Sequence, residues 1–192
     1  FLLFGVALQY TGGGTFFLNL AFALLGHVRG GPAKVAIFAS GLMGSMSGSV
    51  ITNVLTTGAL SIPAMKRTGF SPHYAGGVEA CASTGGVLMP PIMGSTAFVM
   101  ATYLEVPYSD IVIAAVIPSV LYFFGLFIQI DSYAARMKLE GLPKEEMPSV
   151  RKTLFEGWHY VTVFALLIWM LMFLQREALA PYYATVLLIV IN

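Results

Sequence analysis

The chain has 192 residues, of which 57% are hydrophobic and only 10% charged, and its mean hydropathy is +0.81. Soluble domains carry roughly 25% charged residues, so this composition excludes an ordinary soluble enzyme or binding module and predicts an all-α, polytopic integral membrane protein. The net charge of +1 points to no nucleic-acid partner, and the single Cys81 excludes a disulfide framework or a thiolate metal site within the chain.

Residues 1–10 read as the tail of a spanning helix, stopped by Thr11-Gly12-Gly13-Gly14, since three glycines propagate a helix poorly. A second helix is predicted over 15–28, ending at the polar stop His27-Val28-Arg29-Gly30-Gly31-Pro32. Residues 33–65 follow, and their length is ambiguous. Taken whole they suffice to span; taken as two arms, 34–48 and 54–65, neither does, because a span needs about 20 apolar residues.

The basic residues decide between these readings. Arg29 and Lys34 precede the segment, and Lys66 and Arg67 follow it. A re-entrant hairpin places all four on one side of the bilayer, whereas a single span separates them. The next helix, 73–103, ends in an acidic turn holding Glu105 and Asp110, and the helix over 111–130 returns to Arg136, Lys138, Lys144, Arg151 and Lys152. With the hairpin, every basic loop except that of Arg176 lies on the cytoplasmic side.

Residues 131–153 form the only extended polar stretch, read as a cytoplasmic connector that is partly an amphipathic surface helix and carries Lys144, Glu145 and Glu146. Trp158, His159 and Tyr160 open a helix to about Leu174, where an interfacial aromatic belt is expected. Gln175-Arg176-Glu177 makes a short outer loop, and Tyr182 starts a last helix. No internal repeat is evident. With no initiator Met, no visible signal peptide and apolar ends, the sequence reads as a stretch of a longer protein.

Two apolar segments are interrupted near mid-length by small polar residues. The first break spans Ser47-Gly48-Ser49 to Asn53, and the second spans Ser83-Thr84-Gly85-Gly86 to Pro90-Pro91. Irregular backbone inside a bilayer is tolerated only where protein buries it or it lines a wet cavity. The first arm should end in free carbonyls near Gly48, which attract a cation. The second should begin in free amides near Asn53, which attract an anion, with Thr52 or Asn53 as its N-cap. The helix from His73 should lose regularity around 83–86 and restart at Pro90-Pro91. Sodium needs several hard oxygen ligands, which such breaks supply, and a carboxylate can sit on the amide ends.

Glu79, an ionisable residue in an apolar helix one turn before Ser83, is a possible coupling residue; its bland counterpart is a protonated or paired packing residue near the cytoplasmic interface. Gly44-x-x-x-Gly48 and Gly76-Gly77 also fit plain helix packing. His27, His73 and His159 lack ligand spacing, Gly12-Gly13-Gly14 lacks the rest of a phosphate loop, and Ser47 has no activating partner in sequence, so no enzyme is indicated. The residues alone leave open a channel with the hairpin as its filter, a packing scaffold, or another sodium-coupled carrier.

The wording of several stretches is more specific. Gly26-His27-Val28-Arg29-Gly30-Gly31-Pro32-Ala33-Lys34, Ser47-Gly48-Ser49-Val50 with Asn53 and Thr57-Gly58, Ile62-Pro63-Ala64-Met65-Lys66-Arg67-Thr68-Gly69-Phe70 and Glu79-Ala80-Cys81-Ala82-Ser83-Thr84-Gly85-Gly86, with Met89-Pro90-Pro91-Ile92-Met93-Gly94, resemble the large membrane (permease) subunit of TRAP transporters, the DctM-like component. They are closer to the fused-permease type served by TAXI-class binding proteins than to the sialic-acid type, over about residues 26–101. The resemblance implies a multi-pass subunit of a bacterial or archaeal inner membrane, half of an inverted-repeat elevator transporter. That subunit imports organic anions such as C4-dicarboxylates with sodium, a periplasmic solute-binding protein and a small membrane subunit or its fused equivalent. It assigns 1–31 to scaffold helices, 32–104 to half of a transport domain (re-entrant hairpin 33–67, broken helix 73–103), and 105–192 to further helices with the connector at 131–157. It implies sodium ligands at Ser47, Ser49, Asn53, Ser83, Thr84 and Gly85, and places Thr57, Gly58, Met89 and Pro90 nearer the substrate. No cofactor beyond the coupling ion is implied, and Asn53 departs from the acidic residue of some members.

Overall fold

The computed structural model describes residues 2–143, 147–174, 176 and 179–191. Lys144, Glu145 and Glu146 of the connector, and Gln175 and Glu177 of the outer loop, lie outside the described residues.

Helix α1 spans Leu2–Tyr10 and α2 spans Gly13–Leu25. The turn is narrower than the glycine run predicts. Gly12 alone takes a left-handed conformation (φ 93°), while Gly13 and Gly14 enter α2. A Cβ on Gly14 would stand 2.6 Å from Thr56 Cγ2, so a bare backbone here lets α2 close on the fourth helix. Helix α2 also stops three residues before Val28, at the cap Gly26.

Helices α3, Gly31–Ser47, and α4, Val50–Arg67, form an antiparallel pair around a two-residue break. Gly48 supplies the left-handed residue (φ 63°) that ends α3, and Ser49 caps α4 by accepting the Thr52 amide at 3.3 Å. Thr52 and Asn53 are therefore inside the helix rather than its cap, and α4 starts four residues before the expected 54. Serine wins the cap because its extended backbone directly follows the glycine turn. The pairing shows in Ser40 and Thr57, equally far from the break, whose hydroxyl oxygens are 3.0 Å apart. Folding back this way brings Lys34 to the same end of the pair as Lys66 and Arg67.

Helix α5, Pro72–Gly86, is capped by Ser71, which accepts the Tyr74 amide at 3.4 Å. It stays regular through Ser83-Thr84-Gly85-Gly86. The irregular segment is 87–94, and helix resumes as α6 at Ser95–Leu104 rather than at Pro90-Pro91. Helix α7 then runs over Tyr108–Arg136, 29 residues, and is the one described helix that by itself has the length and hydropathy to cross a membrane. It absorbs 108–110 and 131–136 beyond the expected 111–130, because Asp131 is neutralised by ion pairs and does not break the helix. The connector accordingly starts after Met137. It holds α8, Val150–Glu156, bent by 68° against α9, Trp158–Met172, and α10 follows at Ala180–Ile191.

Three apolar clusters result among the described residues, the smallest joining Leu18 and Ala21 of α2 to Val35 and Ala39 of α3. Phe4, Leu8, Phe16, Tyr160, Leu167 and Leu188 join α1 and α2 to α9 and α10, while Ala33, Met65, Phe70, Val78, Ile130 and Ala134 join α3, α4 and α5 to α7. At the basic end Asp131 pairs with Arg29 and, at 2.5 Å, with Lys34, whose ammonium also lies 4.5 Å from the Phe127 ring centre.

Candidate functional site

The two interrupted segments meet. A Cβ added to Gly48, at the hairpin tip, would come within 2.6 Å of the Met93 carbonyl oxygen, and one on Gly94 would lie 3.7 Å from the Gly48 oxygen. The end of α3 and the loop before α6 thus bring the backbone carbonyls of Gly48 and Met93 close together. Ser47 is buried, its hydroxyl accepting the Ser49 amide at 3.4 Å.

One turn from the tip, α3 and α5 touch through backbone. A Cβ on Gly44 would be 2.5 Å from Gly86 Cα, and one on Gly86 would be 2.5 Å from the Ser40 carbonyl oxygen. Asn53 reaches into this crossing. Its Nδ2 donates to the Ser40 carbonyl at 2.8 Å, and its Oδ1 is buried with no hydrogen-bond partner among the described residues. A buried amide oxygen left unbonded costs free energy comparable to a lost hydrogen bond, on the order of 1–3 kcal/mol. A cation would remove that cost.

Beneath Asn53 lies a carboxyl held by hydroxyls. Glu79 is fully buried. Its Oε1 accepts from Ser40 at 3.0 Å, Thr57 at 2.5 Å and Ser83 at 3.1 Å, and its Oε2 accepts from Ser61. Three helices converge on it, α3 through Ser40, α4 through Thr57 and Ser61, and α5 through Ser83. Gly58 gives it room, since a Cβ there would stand 3.1 Å from Glu79 Cγ. Glu79 is therefore a fully buried hub at which three helices meet.

Of the residues expected at the site, Ser47 and Ser49 lie at the hairpin tip and Asn53 beside it, whereas Ser83 donates to Glu79 Oε1 at 3.1 Å, the oxygen that Thr57 also reaches. Thr84 is exposed on another face of α5 and bonds back to the Ala80 carbonyl at 2.8 Å. Gly85 faces α7, where a Cβ would meet Tyr122 at 2.4 Å; its neighbour Gly86 makes the crossing. Thr57 and Gly58 adjoin Glu79, and the Thr57 hydroxyl also lies 2.8 Å from the Asn53 carbonyl. Pro90 is half-buried in the turn, and Met89 lines an apolar cleft of about 650 Å³ with Gly41 and Phe123. Sequence reading missed Ser40 and Ser61, and it noted Gly86 and Met93 in the second break without assigning them to the site. Helical spacing between Ser40 and Gly44 was legible, but the partner helix across which they act was not.

The sequence matches known proteins of one family. Residues 1–192 match the family described as "Tripartite ATP-independent periplasmic transporter, DctM component". The C4-dicarboxylate TRAP transporter large permease protein DctM of Pseudomonas aeruginosa is 32% identical over 159 residues, 81% of this chain and 37% of that protein. Its counterpart in Vibrio cholerae is 30% identical over 141 residues, 73% of this chain and 28% of that protein. The sialic acid TRAP transporter permease protein SiaT of Haemophilus influenzae is 34% identical over 108 residues, 56% of this chain and 17% of that protein. The chain thus spans little more than a third, at most, of the length of these three relatives. It belongs to the DctM family of TRAP transporter large permeases.

Proposed function

We propose that this chain supplies half of the sodium and substrate site of a TRAP-type importer of organic anions in a bacterial or archaeal inner membrane. The supporting observation is Asn53 Oδ1, buried and unbonded one turn from the point where the hairpin tip meets the loop before α6. Ser47 and Ser49 lie at the tip itself, Ser83 follows one turn after Glu79 on α5, and the carbonyl ends of α3 and α5 carry partial negative charge suited to a hard cation. Capping by Ser49 leaves further α4 amides for an anion. On this reading α3 and α4 are the arms of a re-entrant hairpin, α5 and α6 the halves of a broken helix, and both move as part of an elevator-type transport domain. Substrate arrives from a periplasmic solute-binding protein, of the TAXI class by the wording of residues 79–94, and a small membrane subunit or a fused equivalent completes the assembly. The relatives' names, which specify C4-dicarboxylates and sialic acid, support an organic-acid substrate. The test is uptake by the full-length transporter in proteoliposomes with its binding protein. Uptake should need an inward sodium gradient, and equal uptake on a potassium or proton gradient refutes the sodium assignment.

A further inference from the structure

A cleft of about 650 Å³ lies between α2, α3 and α7. Leu24, Ile37, Leu42 and Phe123 are among its walls, and among the described residues every lining side chain is apolar except that of Lys34. Lys34 and Phe127 mark one end; Gly41, Phe123 and Met89 meet at the other. The rim is open, with Phe38, Val120 and Phe124 exposed. From Lys34 to Leu42 the wall of α3 rises about 12 Å at the usual helical pitch, close to the roughly 15 Å of hydrocarbon in one leaflet.

Lys34 makes the cleft more than an apolar groove. A lysine in a membrane helix ordinarily extends its stem until the ammonium reaches the interface. This one is 5% exposed, donates to Asp131 Oδ1 at 2.5 Å and lies 4.5 Å from the Phe127 ring centre. An ammonium has three protons to give, and Asp131 is its one hydrogen-bond acceptor among the described residues. Arg29, the other partner of Asp131, lines a second cavity of about 660 Å³ with His27, Lys138 and Glu140. The cations Arg29, Lys34 and Lys138 thus stand against two carboxylates, Asp131 and Glu140, which leaves one positive charge unmatched at the Lys34 end.

We propose that the cleft binds one anionic phospholipid of the cytoplasmic leaflet, an acyl chain lying between α3 and α7 and the phosphate at Lys34 and Arg29. A phosphodiester carries a single negative charge, the charge this cluster lacks, and its oxygens accept the spare ammonium protons. Basic pockets between helices at the cytoplasmic side of a membrane recognise lipid headgroups in this way. A zwitterionic headgroup brings its own ammonium into a surplus of positive charge, so charge selects phosphatidylglycerol over phosphatidylethanolamine. A small organic anion leaves the apolar wall empty. The proposal does not rest on the sodium reading, since Ser47, Ser49, Asn53 and Ser83 line no part of the cleft.

The test uses the full-length transporter, purified and stripped of lipid, with phosphatidylglycerol and phosphatidylethanolamine that carry a diazirine on one acyl chain. Native mass spectrometry counts the lipid retained, and peptide mapping locates the cross-links. The wild type should hold phosphatidylglycerol about tenfold more tightly than phosphatidylethanolamine, cross-linked within residues 34–42 or 120–127. Lys34→Met should erase that preference. Arg29→Gln, on the exposed side of the cluster, should lower it several-fold, and this variant carries the charge test if Lys34→Met does not fold. Val120→Trp, which fills the cleft from its open rim, should remove the cross-links without lowering thermal stability. Equal retention of the two lipids by the wild type overturns the proposal, as does a preference unchanged in Lys34→Met or Arg29→Gln. Cross-links that fall only outside both stretches, or that survive Val120→Trp, overturn it as well, for the cleft is then covered by another part of the full-length chain or left unused by the lipid.

Discussion

Asn53 and Ser40, thirteen residues apart on opposite arms of the hairpin, are joined by a 2.8 Å bond from Asn53 Nδ2 to the Ser40 carbonyl. That carbonyl belongs to the interior of α3, so the amide ties the second arm to the first. The bond also fixes the amide plane and decides which way Oδ1 points. Oδ1 is left buried with no hydrogen-bond partner among the described residues.

The crossing of α3 and α5 depends on backbone-to-backbone contact. Gly86→Ala would put a Cβ 2.5 Å from the Ser40 oxygen and 2.8 Å from Gly44 Cα, neither of which can move aside as a flexible side chain does. Gly77→Ala meets nothing within 4 Å. Thermal unfolding of the purified full-length protein should show Gly86→Ala destabilised by roughly 1–3 kcal/mol, the usual cost of overpacking. Gly77→Ala should be unchanged or more stable by up to about 1 kcal/mol, since alanine is the better helix former.

Asp131 holds two cations of unequal burial. Lys34 is 5% exposed and Arg29 is 53% exposed. Breaking a buried pair by removing one partner costs on the order of 3–5 kcal/mol, whereas a surface pair is worth about 0–1 kcal/mol. Asp131→Asn should therefore lower thermal stability far more than Arg29→Ala, and adding Lys34→Met to Asp131→Asn should recover part of the loss. Equal effects of Asp131→Asn and Arg29→Ala would show that the Lys34 pair contributes little.

Folding back of α3 on α4 makes a topological prediction. In a Cys81→Ala background, Lys66→Cys should stay unlabelled and Glu105→Cys should react when intact cells meet an impermeant thiol reagent. Both positions are exposed in the fold, whereas Tyr108 is buried, its hydroxyl donating to the Pro91 carbonyl at 3.1 Å. Labelling of Lys66→Cys from outside would mean that residues 33–65 cross the bilayer once.

Much of this was legible in the sequence because it is written in local signals. The hairpin followed from the placement of Arg29, Lys34, Lys66 and Arg67, and the breaks from Gly48 and the Pro90-Pro91 region. Their positions slipped by a few residues where two signals competed. Ser49 and Asn53 both suit an N-cap, and only the glycine turn before Ser49 settles the choice. Ser83-Thr84-Gly85-Gly86 looks like a helix breaker, yet packing against Gly44 on one face and Tyr122 on another holds it helical. Glu79 was conspicuous as a lone carboxyl, but its partners Ser40, Thr57 and Ser61 lie 18 to 39 residues away, beyond the reach of spacing arguments. Thr84 and Gly85 entered the expected site through adjacency to Ser83, and helical geometry turns them to other faces.

The sodium requirement of Asn53→Ala tests the account most directly. The measurement is the sodium concentration for half-maximal uptake by the full-length transporter in proteoliposomes, supplied with its binding protein. A lost oxygen ligand worth about 1.4 kcal/mol raises that concentration tenfold. Asn53→Ala should show a rise of about that size, while Val112→Ala, a buried change in the apolar core, should leave it unchanged. An Asn53→Ala transporter that folds, transports and keeps the wild-type sodium requirement would contradict the assignment of Asn53 Oδ1 to the coupling ion.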